Sequence, residues 1–208
     1  MVPWSAWASR RERTLVPITD DGATTLFVGT YLPGHGTIFG LKHALAREAA
    51  RVHPSIRHKP LFKVRENVFL DAVAARHPHL SRDAAISAEV RRNLRVYALG
   101  HPLAFSRMLA AKTWRMWGFP FRGTFGKASA PALWLHRLLV ALALAGLLAG
   151  LWRRRSAALG LVVLAIAVTA AVDIAFVAEA RHAFRLMPAL LAAGAAGWAG
   201  TVRWRASA

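Results

Sequence analysis

The chain has no cysteine and few acidic residues among its 208 positions. Without thiols it can form no disulfide, no thiolate nucleophile and no thiolate metal site. Only 10 Asp and Glu stand against 28 Lys and Arg, which gives a formal net charge of +18. A chain this basic needs an anionic partner, and nucleic acid and lipid phosphate are the two candidates.

Metal-binding and cofactor-binding patterns are also missing from the sequence. The nine histidines include no His-Glu-x-x-His pair, and a proline between His77 and His79 hinders a shared helical face. The glycines between positions 34 and 40 do not have the spacing of a dinucleotide-binding loop. We therefore expect neither a metal nor a cofactor.

Long apolar runs fill the last third of the chain, and the mean hydropathy is +0.33. The runs are Leu133–Trp152, Ala157–Val177 and about Leu186–Val202. A helix rises about 1.5 Å per residue, so each run approaches the roughly 30 Å of bilayer hydrocarbon. The sequence predicts a mainly α, integral membrane protein with an outer segment over 1–131 and a three-helix transmembrane bundle over 132–208.

Arginine sets the predicted orientation of this bundle. Arg153–Arg155 separate the first two runs, and Arg203 and Arg205 follow the third. Two spans lie between these groups, so both face the same side, which positive charge marks as cytoplasmic. The prediction is a multi-pass protein of the cell membrane, with residues 1–131 outside and the C-terminus cytoplasmic. Anionic membrane lipids then become the expected partners, and nucleic acid does not.

The start of the chain conflicts with this topology. Met1–Arg13 contains two tryptophans and a charged run but no apolar core that could act as a signal peptide. Residues 1–131 must nevertheless cross the membrane before the first predicted span. We expect that Met1 is not the natural start and that an N-terminal transmembrane part of the same protein is missing.

Local patterns divide the outer segment into short elements. Val, Ile, Thr, Phe and Tyr predict extended pieces at Leu15–Ile18 and Ala23–Tyr31, joined by an Asp-Asp-Gly turn. Apolar spacing, capping residues and Gly/Pro breaks predict four helices. They cover Thr37–Val52, Asn67–His77, the stretch from the N-cap Ser81 to Leu99, and Leu103–Trp117. The last mixes cations with Trp and Met, which is typical of a helix lying in the membrane interface.

Two cation-rich clusters are candidates for binding a lipid phosphate. In the first, Lys112 and Arg115 alternate with tryptophans; an ordinary interfacial anchor would look the same. In the second, Arg181 and Arg185 lie in the predicted outer loop, where arginine is not usually enriched. Arginine is a strong donor to phosphate oxygens. The alternative for the second cluster is an ion-pair network with the nearby acids, Asp173 and Glu179.

Taken in chain order, several segments resemble the C-terminal half of bacterial glycosyltransferases of family 39. That family includes dolichyl-phosphate-mannose protein mannosyltransferases and lipid A aminoarabinose transferases. The resemblance is carried by Pro3-Trp4, Arg10-Arg11, Leu15–Thr19, Asn93–Trp117 and Arg181–Pro188. In the last of these, the chain has His182 where the family motif Arg-Tyr-Arg-Leu-Pro has tyrosine.

The resemblance implies transfer of a sugar from a polyprenyl-phosphate donor to an acceptor at the outer membrane face. In such enzymes an acid in the first outer loop acts as general base, while cations stabilise the departing lipid phosphate. That loop would precede this chain, so no catalytic residue is assigned and the chain alone is expected to be inactive. Arg181 and Arg185, with Lys112 or Arg115, would face the phosphate.

Two other interpretations stay open. One is a non-enzymatic membrane protein whose basic outer segment binds anionic lipid or a partner protein. The other is a membrane-tethered nucleic-acid binder, which would require residues 1–131 to be cytoplasmic. Labelling from outside at an introduced cysteine separates the last interpretation from the others.

Overall fold

The computed structural model describes residues 22–119, 129–154, 157–177 and 180–206, and within these ranges it contains eight α-helices and no strand. The helices are Gly22–Thr30 (α1), Ile38–Val52 (α2), Glu66–Ala74 (α3), Arg82–Asn93 (α4), Pro102–Trp117 (α5), Ala130–Arg154 (α6), Ala157–Ala175 (α7) and Ala180–Ala206 (α8). A π-helical segment, Leu94–Leu99, continues α4. The prediction of a mainly helical fold is therefore confirmed.

The described residues form two compact units. The first unit holds those up to Met108 together with Ala175–Val177, and the second holds the rest. Helix α5 contributes to both, since its first turns belong to the first unit and residues from Leu109 belong to the second. The predicted division at 131–132 marks a membrane boundary rather than a packing boundary, and it stays a prediction.

Helix α2 shows why the first unit folds as its sequence predicts. The Thr37 side chain accepts a hydrogen bond from the backbone N–H of Gly40 at 3.0 Å, which satisfies an otherwise unpaired donor at the helix start. Leu41, Leu45 and Ala49 then recur at helical spacing and are all buried in the core.

The next two helices also match their predictions closely. Ser81 caps α4 as predicted, accepting from the N–H of Ala84, and Asp83 lies in the first turn. Ile86 and Val90 of α4 join the core, as do Phe69 and Leu70 of α3. Helix α3 ends at Ala74, three residues before its predicted end.

The prediction of an extended piece at Ala23–Tyr31 is wrong, because this stretch forms α1. Phe and Val favour strands by local preference, but Phe27 and Val28 are almost fully buried in the core of the first unit. Burial in tertiary packing outweighs the weak local preference of such residues. The Thr30 hydroxyl donates to the carbonyl of Leu26 at 2.8 Å, a bond that suits a helix. Leu15–Ile18 lies outside the described residues.

In the second unit, α6 and α8 pack in parallel along a seam of small residues. A Cβ added at Gly146 would overlap the carbonyl of Gly194, and one added at Gly197 would overlap the carbonyl of Gly146. Gly150 also approaches the backbone of Gly197, so only glycine permits this separation. Val140, Ala143 and Leu147 of α6 pack with Leu190 and Ala193 of α8 around the seam.

Two of the described helices, not the predicted three, are long and apolar enough to cross a membrane by length and composition. They are α6, over Ala130–Trp152, and α7, over its whole length. Only 22% and 6% of their most apolar windows are buried inside the chain. The third predicted span, Leu186–Val202, lies within α8, but Pro188, the glycines and Trp198 make it less apolar than α6 and α7.

Candidate lipid-phosphate site

The second half of α5 packs against the last turns of α7 and the first turns of α8. Met116 is fully buried and forms a small core with Ala170 of α7 and Ala183 of α8. Ile174 and Leu186 pack around them. The C-terminal end of α7, the N-terminal end of α8 and the last turns of α5 therefore meet at one end of the second unit.

Lys112 lies one helical turn before Met116 and on the same face of α5. Its side chain has no exposed surface. Burial, with a smaller contribution from the positive charge of Arg115, lowers the pKa of Lys112 from 10.5 to about 8. Burial also lowers the pKa of Arg115, which is half-buried. Both cations of α5 are thus at least partly removed from water.

Arg185 at the start of α8 pairs with Asp173 near the end of α7. One guanidinium nitrogen, Nη2, lies 3.0 and 3.3 Å from the two carboxylate oxygens. The Nδ1 atom of His182 is 3.8 Å from the same carboxylate. The Arg185 side chain remains 63% exposed, whereas that of Asp173 is 13% exposed. The ion-pair alternative is thus confirmed for this pair, and Glu179 lies outside the described residues.

The structure places three of the four sequence-predicted cations at the same end of the second unit. Lys112 and Arg115 lie on α5 and Arg185 lies on α8, and the small core of Met116, Ala170 and Ala183 brings these helices together. The backbone of Arg181 belongs to the first turn of α8, and its side chain is outside the described part.

Sequence reasoning missed a fifth cation, Arg137, which lies near the start of α6. Its Nε donates to the carbonyl of Gly118 at 3.1 Å. Its guanidinium carbon lies 5.1, 5.3 and 5.5 Å from the ring centres of Trp114, Trp134 and Phe119. Such contacts hold a guanidinium in one orientation. Trp134 and Arg137 are one helical turn apart, and this spacing indicates a contact between the two side chains. Both residues lie inside the predicted span Leu133–Trp152, which was interpreted only as a membrane helix.

Arg137 lies at the rim of an apolar groove of about 1,170 Å³ in the second unit. Residues of α5, α6, α7 and α8 line it. Trp114 and Trp134, which lie next to Arg137, and Trp117 are among the lining residues, and the lining continues along α6 to Leu151. The groove therefore combines one cation, three tryptophans and a long apolar surface.

The first unit contains a buried charge cluster that the sequence did not reveal. Glu89 of α4 is almost fully buried and binds Arg76 at 2.8 Å and His77 at 2.9 Å. Burial alone would raise the pKa of Glu89, but the His77 hydrogen bond and the Arg76 charge outweigh it and lower that pKa. Arg76 also binds Glu48 of α2, and this bond raises its pKa. The cluster joins α2 and α4 to the end of α3, which is a structural role.

No protein-family model, curated protein or solved structure matches this chain.

Proposed function

We propose that the chain is part of a multi-pass membrane glycosyltransferase of the cell membrane, which uses a sugar carried on polyprenyl phosphate. In this proposal Lys112, Arg115, Arg181 and Arg185 face the phosphate of the donor at the outer membrane face. No residue of this chain is assigned as the base that activates the acceptor. The assignment of glycosyl transfer rests on the resemblance of the sequence segments.

Exposed apolar side chains support the membrane location. Leu148 of α6 is 64% exposed, and Leu161 and Val168 of α7 are 67% and 54% exposed. Large apolar surfaces of this kind are rare on proteins surrounded by water and are favourable in hydrocarbon. The two helices are therefore covered by lipid in the proposal.

The glycine seam supports a third span in α8, although α8 is less apolar than its neighbours. Its residues Gly194 and Gly197 lie against the backbone of α6 at Ala143 and Gly146. A helix packed this closely and in parallel shares the depth of its partner, so α8 crosses the bilayer if α6 does. Glycine and alanine at such contacts are common between transmembrane helices.

The observation that carries the proposed donor site is the small core that Met116 shares with Ala170 and Ala183. It brings the buried Lys112 and half-buried Arg115 to the end of the unit that also carries Arg185. Cations in a water-poor site stabilise a departing phosphate more strongly than cations in bulk water. This is the chemistry that a polyprenyl-phosphate donor requires.

One observation favours the second candidate, a non-enzymatic membrane protein that binds anionic lipid through its basic surface. Arg185 is already paired with Asp173, so part of the proposed site is neutralised within the chain. Such a protein would bind anionic lipids without preference for the polyprenyl group.

The test measures binding of undecaprenyl phosphate to the full chain in nanodiscs of phosphatidylcholine. Loss of charge-assisted hydrogen bonds should weaken the affinity of the K112Q/R115Q double variant about tenfold or more. The matched control is R107Q, which removes an exposed charge from the same helix. Undecaprenol, which lacks the phosphate, should bind equally weakly to all three proteins.

Equal affinities for wild type and the double variant would overturn the donor-site assignment. Equal affinity of the wild type for undecaprenyl phosphate and phosphatidylglycerol would favour the non-enzymatic candidate instead.

A further inference from the structure

The apolar groove beside α6 is separate from the cations assigned to the donor phosphate. Among its described lining residues, Arg137 is the only one that carries a charge. Lys112, Arg115 and Arg185 do not line it. The lining of the groove therefore fits a ligand different from the donor phosphate, with one anionic group and a long apolar part.

The surroundings of Arg137 favour binding of the anionic group. Three aromatic rings lie next to its guanidinium, and the carbonyl of Gly118 accepts a hydrogen bond from its Nε. Only one of its five N–H donors is used in the bond to Gly118, and an arginine fork matches the oxygens of a phosphate. The tryptophans around it are typical of the level at which lipid head groups lie.

The length and position of the groove fit an acyl chain. From Arg137 to Leu151 the lining of α6 extends over 14 helical rises, about 21 Å along the helix axis. Leu144 and Leu148 belong to this lining and are also 44% and 64% exposed. The groove is thus continuous with the outer apolar face of α6, and a chain could enter it sideways from a bilayer.

We propose that the groove binds an anionic glycerophospholipid of the surrounding membrane, with its phosphate on Arg137 and an acyl chain along α6. Charge complementarity favours this occupant, because a basic chain at a bilayer attracts anionic phospholipids. The inference rests on the membrane location in the proposed function, but it does not depend on glycosyl transfer.

The test uses the full chain in phosphatidylcholine nanodiscs that contain phosphatidylglycerol with a photoreactive diazirine on one acyl chain. Mass spectrometry then locates the label. In the wild type we expect it on peptides of α6 and α7 that line the groove. R137Q should reduce this labelling about tenfold, R137K should retain part of it because the charge remains, and R107Q should not change it.

A second pair of variants tests the apolar part without touching Arg137. A167F adds a ring to a groove-lining position of α7, whereas A165F adds the same ring to an exposed position of α7 outside the lining. We expect A167F to reduce labelling at least fivefold and A165F to leave it unchanged. Circular dichroism of each variant establishes that the helices are retained.

Three results would overturn the inference. One is equal labelling by phosphatidylcholine that carries the same diazirine. Another is unchanged labelling in both R137Q and A167F. The third is displacement of the phosphatidylglycerol label by equimolar undecaprenyl phosphate, which would assign the groove to the donor lipid. Loss of donor binding in K112Q/R115Q with intact phosphatidylglycerol labelling would support two separate sites.

Discussion

Lys112 is a lysine that the fold keeps away from water, and its protonation is therefore linked to stability. Its pKa in the folded chain is about 8, against an ordinary value of 10.5. Between these values the unfolded chain binds more protons, so the free energy of unfolding rises with pH across this window. The cost of burying the charge, at most about 3 kcal/mol, is fully present below pH 8.

The first prediction follows from this linkage. Wild type should gain stability relative to Lys112→Met as pH rises from 8 to 10.5, because methionine does not titrate, and the difference between the two proteins should be constant outside this window. Denaturant unfolding in detergent at several pH values measures it. Arg107→Met removes a charge that does not titrate in this range and should show a pH-independent difference. If the free energy of unfolding of Lys112→Met changed with pH in the same way as that of wild type, the linkage to Lys112 would be contradicted.

A second prediction at the residue scale concerns Glu89. Glu89→Gln leaves Arg76 partly buried without one of its two carboxylates and should lower the free energy of unfolding by about 3 kcal/mol or more. Arg92→Gln removes an ion pair to the same carboxylate, but its side chain is 63% exposed, so the loss should stay below about 1 kcal/mol. Similar losses of unfolding free energy in Glu89→Gln and Arg92→Gln would show that burial of the charged group does not determine the size of the loss.

At the scale of helices, the sequence predicted those whose start and inward face are encoded locally. Thr37 and Ser81 mark the starts of α2 and α4, and the apolar spacing of α2 identifies its buried face. Helix α1 could not be predicted in this way, because its β-branched and aromatic residues are selected by the core they fill.

The contact between α6 and α8 gives the third prediction. Gly197→Ala places a methyl group against the backbone of Gly146 and should destabilise the helix pair by about 1–3 kcal/mol. Gly160→Ala in α7 is the matched control, because nothing lies within 4 Å of its added Cβ. The control should be neutral or slightly stabilising. Thermal unfolding in detergent compares the two, and equal effects would argue against a close glycine contact in the folded chain.

At the scale of the whole molecule, the candidate site was only partly accessible to sequence reasoning. Residue type alone pointed to Lys112, Arg115 and Arg185 as phosphate ligands. The pairing of Arg185 with Asp173 and the burial of Lys112 depend on helix packing, which no local pattern specifies. The role of Arg137 could not be predicted either, because its aromatic partners come from two helices and from the segment after α5.

The predicted orientation gives the fourth prediction. Within the proposed full-length enzyme, freed of cysteines outside this chain, a single Ser55→Cys variant reports the location of residues 1–131, because the chain itself has no cysteine. An impermeant maleimide added to intact cells should label this position, which is exposed in the first unit. Ser207→Cys near the C-terminus should be labelled only after the membrane is opened. The reverse pattern would place residues 1–131 in the cytoplasm and favour the nucleic-acid binder.

The glycine seam also dictates an order of events during synthesis. Gly146 and Gly197 are 51 positions apart, and α7 separates them along the chain. At about 5–20 residues per second, a ribosome needs several seconds to deliver the second glycine after the first. During that interval α6 has no partner for its small-residue face, so a nascent chain arrested shortly after α7 would be a ready target for quality-control proteases.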